Sequence, residues 1–448
     1  LNESCVTVAE VLRTRGYRTH ISGKWHVGDV SGDPNLPPEM RRGFDRLFGL
    51  SGRESYFYRP ELWDNDKRYV DDSEDFYLTD QIADHAVEMI DESVALGTPF
   101  FVYTAFTAPH WPLHAPEEDI ARYEGMYRDG WDATRTARHE ELKGIGILDP
   151  GWQITSRDED VPAWTDAPNR EWESLRMSVY AAQVDRMDQG IGRILDALDR
   201  NGISDNTLVM FLSDNGGCAE FLHEEGRSEP DESLSGMKTR DGLPVRVGND
   251  PSIRPGGADT FMSYDVQWAN VSVTPFRRYK RWVHEGGIST PFIARWPARL
   301  REPRIVHAPA QIIDITATII DASGAGYPSE FNGNEITPIE GESLLRVFDD
   351  GIWSRDKPMF WEHEGNCAVR MGEWKLVREC WSAWELYNMN EDRTELNDLS
   401  VGNRDLVRKM SGMYESWASR CNVLPWPPRL GGWSFAGLRS DGSWNMQT

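Results

Sequence analysis

Five cysteines in 448 residues, with no C-x-x-C pair among them, exclude a zinc ribbon or a thioredoxin-like redox site. Cys367 and Cys380 are the two that a bridge could join, and an odd total leaves at least one thiol free or paired outside the chain. Long apolar runs are missing as well, and none approaches the length that crosses a bilayer. Positive charge is scarce. Lys and Arg number 48 against 73 Asp and Glu, a formal charge of −25, which argues against a nucleic-acid partner. So acidic a surface repels anions at long range, and any anionic substrate needs local lysines to override it. The same acidity suits a saline habitat. Internal repeats are absent. Tryptophan is plentiful, with 19 copies; stacking on sugar faces is one use for them, but packing is the expected role of most. A chain this long exceeds one ordinary core, so one large domain and a smaller one are expected.

Four segments carry chemistry. Thr7 to Glu10 has capping-box spacing, with Val8, Val11 and Leu12 at i, i+3 and i+4, which predicts a helix closed by Gly16. Tyr17 to Ser22 then reads as a strand, followed by Gly23-Lys24-Trp25-His26. In open α/β sheets ligands bind at the carboxyl ends of strands, so Lys24 and His26 fall in a site and suit an anion. Leu208 to Leu212 reads as a strand buried on both faces of a parallel sheet, with Asp214, Asn215 and two glycines just beyond it. A carboxylate beside an amide oxygen suits a hard cation such as Ca²⁺ or Mg²⁺, although two ligands do not complete its shell. Phe100 to Phe106 leads into Ala108-Pro109-His110-Trp111-Pro112. His110 and His114 have the spacing of a helical zinc pair, but Pro109, Pro112 and Pro116 forbid that helix. His110 is better read as a proton donor on a rigid loop. The fourth segment runs from Lys280 through Glu285-Gly286-Gly287 into the strand Thr290 to Trp296. Each segment alone has a bland reading as a surface charge, a core histidine or an ordinary turn.

In this order, and all at strand ends, the four resemble the sulfatase family over nearly the full chain. GYRTHISGKWHVGD is similar to its second signature, and RRGFDRLFG (Arg41 to Gly49) to the segment after it. APHWP, FLSDNGG and KRWVHEGGISTPFIARWP match later blocks, and AVRMGEWKLV and WELYNMNEDRTELNDLS resemble its C-terminal subdomain. GWDATRTAR and QWANVSVTPFRRYK are most similar to bacterial arylsulfatase-type members. The resemblance implies an alkaline-phosphatase-like α/β fold, a mixed sheet flanked by helices with a smaller C-terminal α+β subdomain. It implies a sulfuric-ester hydrolase that cleaves a sulfated small molecule or carbohydrate to alcohol and sulfate.

Residue roles follow from the same resemblance. Lys24 and Lys280 match the lysines that hold the sulfate oxygens. His110 matches the histidine that protonates the leaving alcohol, and His26 the one that helps the sulfated hemiacetal collapse. Asp214 and Asn215 match metal ligands, with Ca²⁺ the usual ion and Mg²⁺ the alternative. Trp25 and Trp111 adjoin these residues and become candidate substrate contacts, with Tyr56 and Tyr58 behind them. One departure stands against the matches. The family's C/S-x-P-S-R signature, whose Cys or Ser becomes the formylglycine nucleophile, does not occur, and neither does its first-strand pair of metal-binding aspartates. The chain therefore reads as a fragment that begins downstream of that strand. Formylglycine is expected upstream of Leu1, made by a formylglycine-generating enzyme of the host, and the 448 residues alone are expected to be inactive. Loss of an inner strand is expected to weaken the sheet by leaving backbone groups unpaired. Bacterial sulfatases are often exported, so a periplasmic or secreted location is expected, with the evidence lying in that upstream segment.

The remainder organises around these loops. Residues 1–350 form the expected catalytic domain and 351–448 the subdomain, with a boundary near Asp350 to Lys357 and a wrapping tail from Pro425. Helical periodicity runs from Glu173 to Arg200 and from about Gln311 to Ala322. Asp129 to Ala167 and Glu220 to Asp265 read as insertions near the pocket, of the kind that sets substrate choice. Two rival functions remain at this stage: a phosphodiesterase or phosphonate hydrolase of the same superfamily, and a non-catalytic protein that binds sulfate esters.

Overall fold

The structure is a computed structural model and describes residues 1–27, 37–50, 55–58, 62–222, 234, 236–353, 355 and 357–426. Much of the expected tail and part of the 220–265 insertion lie outside them. The first helix, Val8–Arg13, opens with the predicted capping box: the Thr7 hydroxyl accepts from the Glu10 N–H, and the Glu10 carboxylate from the Thr7 N–H. It leads into β1 (Arg18–Lys24), an inner strand of a five-stranded sheet. β2 (Arg46–Leu50) lies parallel to β1 on one side; β3 (Leu62–Asp64) and β4 (Lys67–Tyr69) continue antiparallel beyond it. β5 (Phe100–Ala105) pairs parallel with β1 on the other side.

β1 is buried on both faces because it is sandwiched. Ile21 packs with Ala9, Phe44 and Leu47 below. Above, His20 bonds Ser93 and the Ser22 hydroxyl donates to the Ile82 carbonyl, both on the helix Leu78–Ala95. That helix rests on the long helix Arg170–Arg200, tied to it by Arg186 and Arg193, which both reach Asp80. The predicted periodicity from Glu173 is thus one continuous helix of 31 residues. The second predicted helix is Ile313–Ser323.

The strand expected over Leu208 to Leu212 departs from its reading. β6 (Val209–Leu212) is half-buried, and it pairs antiparallel with Phe292–Arg295 instead of lying inside a parallel sheet. The outer edges of β5 and β6 carry no further strand among the described residues, and both strands line one cavity of about 2420 Å³. Ile191, Ile194 and Leu195 of the long helix, expected on a core face, line the same cavity and are half-buried.

The C-terminal part is a four-stranded antiparallel sheet, Met359–His363, Asn366–Met371, Trp374–Arg378 and Glu385–Asn388 in that order. Alternation sends Val369, Leu376 and Leu386 to one face, against Met410 and Tyr414 of the helix Arg404–Arg420. The opposite face, with Ala368, Val377 and Tyr387, packs on Val283. Lys375 lies on that second face and is fully buried, its Nζ 2.8 Å from both Glu285 and Glu395. Glu395 also accepts from the Glu285 N–H at 3.0 Å, and Arg393 reaches Glu285 at 2.5 Å. Burial alone would raise the Glu285 carboxyl, but Lys375 and then Arg393 outweigh it and hold it far below the usual carboxylate range. All five cysteines are free thiols, so the bridge considered between Cys367 and Cys380 does not form.

Two outcomes follow from this arrangement. Replacing Lys375 with Met strands two buried carboxylates, and urea unfolding is expected to show a loss of about 3 kcal/mol; a change below about 0.5 kcal/mol would remove the cluster's assigned role. Hydrogen exchange is expected to be slowest along β1, which is paired on both sides, and fast at the outer-edge amides of β5 and β6. Uniform protection across all three strands would contradict the unpaired edges.

Candidate active site

Three strand ends and one loop build the site. Lys24 is the last residue of β1, and Trp25 and His26 follow it directly. Trp25 packs edge-on against Phe44, with ring centroids 6.1 Å apart, so part of its surface belongs to the core below the sheet. His26 is exposed. Lys24, Trp25, His26, His110, Trp111, Asp214 and Asn215 all stand on the wall of this cavity.

His110 comes from the loop after β5. Its Nδ1 lies 2.8 Å from the Trp111 carbonyl. A carbonyl only accepts, so the proton sits on Nδ1 and Nε2 keeps its lone pair. Burial first, then the Lys280 and Lys24 ammoniums, hold the imidazole below its ordinary value, against the opposing pull of the Trp111 carbonyl and Glu220. His110 is therefore neutral at pH 7 in the free protein. Tyr56, a candidate substrate contact in the sequence, is among the residues that line the cavity. It is only 2 % exposed, and its hydroxyl donates to the His110 carbonyl at 2.9 Å. Buried between Tyr77 and His114, it braces the histidine loop from behind. Tyr58 lies on the same segment and is half-buried. His114 is fully buried, taking a bond from the Tyr56 N–H and giving one to the Thr260 carbonyl. Burial pushes it down to about 4, so it is a neutral structural histidine.

The Asp214 turn and the Lys280 segment are interlocked through their backbones. The Lys280 N–H donates to the Gly217 carbonyl at 3.0 Å, and the Gly216 N–H to the Gly287 carbonyl at 2.9 Å. A Cβ on Gly216 would collide with the Gly286 carbonyl, so only glycine allows this approach. Asp214 is exposed at the mouth of the turn. Asn215 donates its Nδ2 to the Gly216 carbonyl at 2.8 Å, which leaves Oδ1 as the atom available to a cation. A carboxylate and an amide oxygen are hard donors and fit Ca²⁺ or Mg²⁺. They make up part of a shell, since no cluster of three or more acidic, histidine or cysteine side chains forms among the described residues.

Glu220 is the functional residue that the sequence reading missed. Its Oε2 accepts from the Trp111 indole N–H at 2.8 Å, and its Oε1 lies 3.3 Å from the Lys280 Nζ. Burial alone would raise its carboxyl, but Lys280, the Trp111 indole and the Cys218 thiol bring it below the usual range. Burial and the neighbouring carboxylate push the Cys218 thiol up to about 12, so it is no nucleophile. A chain of contacts thus runs from His110 through Trp111 and Glu220 to Lys280, and Trp111 is engaged in it by hydrogen bond. Only the position of Glu220, three residues after the second glycine of the turn, hinted at this role.

Comparison with known proteins places this geometry. The sulfatase family model matches residues 1–325, and that described as N-sulphoglucosamine sulphohydrolase, C-terminal, matches 277–414. An arylsulfatase of Klebsiella aerogenes is 30% identical over 370 residues, covering 78% of this chain and 74% of its own. Among solved structures, Ps i-CgsB in complex with k-i-k-neocarrahexaose shares the fold with a TM-score of 0.60 at 22% identity, over 92% of this chain and 73% of its own. BT4656, solved with its substrate D-glucosamine-2-N,6-O-disulfate, gives 0.55 at 18% identity over 95% and 84%. The fold is the alkaline-phosphatase-like mixed sheet with a C-terminal sheet subdomain, and the chain belongs to the sulfatase family, the sulfuric-ester hydrolases.

Proposed function

We propose that a sulfate ester of an aryl alcohol or a carbohydrate binds at the carboxyl ends of β1, β5 and β6. The contact chain His110–Trp111–Glu220–Lys280, with Lys24 close enough to shift His110, carries this reading. Lys24 and Lys280 present ammonium groups to the sulfate oxygens and oppose the charge that builds as the S–O bond lengthens. His110 Nε2 takes up a proton as the anion binds and delivers it to the departing alcohol oxygen. His26 accepts a proton as product sulfate is released. In this family formylglycine supplies the attacking oxygen and Ca²⁺ draws charge from the sulfate; Asp214 and Asn215 are the residues here that would hold the ion.

Binding tests the assignment directly. Calorimetric titration with 4-nitrophenyl sulfate is expected to lose tenfold or more in affinity in Lys280→Ala, since a charge-assisted hydrogen bond is worth about 1.5–3 kcal/mol. Equal affinity of the variant, or no binding by the wild type, would overturn the site. The pH dependence has a definite sign. His110 starts below its ordinary value and is raised by a bound anion, so binding takes up a proton and affinity rises as pH falls toward the free-state value. His110→Gln is expected to flatten that dependence; an unchanged slope assigns the proton elsewhere.

A further inference from the structure

We propose that the ion pair between Arg281 and Glu364 is a latch by which the C-terminal sheet holds Lys280 in its binding position, making both of them positioning residues for the ester. The inference rests on the assignment of Lys280 to the ester, and it concerns residues that the family resemblance did not single out. Arg277, Arg278, Lys280 and Arg281 are four basic residues within five positions. Three of them reach carboxylates of the C-terminal part: Arg277 meets Glu385, Arg278 meets Glu379 and Arg281 meets Glu364, each at 2.5 Å. Lys280 turns the other way, its Nζ 3.3 Å from Glu220.

That change of direction is made in the backbone. Arg278 has a φ of +64° and Arg281 one of +90°, in the left-handed region that residues with a Cβ rarely adopt. Such a conformation persists only where the surroundings impose it. Arg281 is gripped twice by the turn that joins Met359–His363 to Asn366–Met371. Glu364 accepts from its Nε at 2.6 Å, and the Asn366 Nδ2 donates to its carbonyl at 3.2 Å. The Arg281 side chain is 10 % exposed, so water screens the pair weakly. On its other side the segment is fixed by the Lys280 N–H bond to the Gly217 carbonyl. Loss of the ion pair lets Arg281 relax toward negative φ, and that rotation moves the neighbouring peptide, which carries Lys280.

The test is calorimetric titration of the full chain with 4-nitrophenyl sulfate. Glu364→Ala is expected to lose about fivefold or more in affinity, the population given up when a strained backbone of this class is no longer held. Adding Arg281→Gly to that variant is expected to recover most of the loss, because glycine takes a φ of +90° without a latch. In the Lys280→Ala background, Glu364→Ala is expected to cost nothing further, since it acts through Lys280. A Glu364→Ala variant that binds as the wild type does would overturn the proposal. So would a loss that glycine does not recover, or one that persists without Lys280, since either marks a general loosening of the subdomain. Equal binding by the wild type and Lys280→Ala, or no binding by the wild type, would instead bring down the ester-site assignment, and this inference with it.

Discussion

A positive charge on Lys375, held where no water reaches it, governs where the Lys280 segment can lie. Lys375 belongs to the C-terminal sheet; Glu285 opens the short helix Glu285–Ile288 that follows Lys280 by five residues. Taking an ammonium and two carboxylates out of water costs several kcal/mol for each ion, about as much as their attraction returns. Such a cluster adds little to stability as an isolated pair. What it adds is uniqueness of placement, because any shift of the segment leaves a charge buried without its partner. Val283, packed on the same sheet face, supplies the apolar contact that keeps water out. The interlock of Gly216 with Gly286 and Gly287 then passes that placement to the Asp214–Asn215 turn.

Electrostatics in the molecule works at two ranges. The chain as a whole is strongly acidic, and at distances beyond a Debye length of about 8 Å that field is screened. Inside the cavity the balance is set by few groups, and burial strengthens each of them. His110 shows the result: its tautomer is chosen by one backbone carbonyl, and its protonation by burial first and then by that carbonyl, two lysines and a glutamate. Tyr56 and the Trp111 carbonyl keep the ring from turning away from that field.

Local signals in the sequence proved the most legible. Thr7 and Glu10 lie within one turn of each other, and their capping box forms as read. The helix from Glu173 announced itself by period, and the His110 and Asp214 segments by following apolar runs. What stayed hidden depended on partners far along the chain. β6 had the composition of an inner parallel strand, but its neighbour, Phe292–Arg295, lies some 80 residues later and runs the other way. Lys375 and Glu220 carried no signal of their own until the fold brought Glu285 to one and Lys280 to the other.

The open edges of β5 and β6 also bear on how the molecule behaves in company. Each presents backbone donors and acceptors in register, and Tyr103 and Ile293 beside them are largely exposed apolar groups. Native sheets blunt such edges with charge, proline or a covering helix. Here they are sheltered chiefly by the depth of the cavity between them. Among the described residues, a strand from a neighbouring molecule that reached into it would find two templates at once.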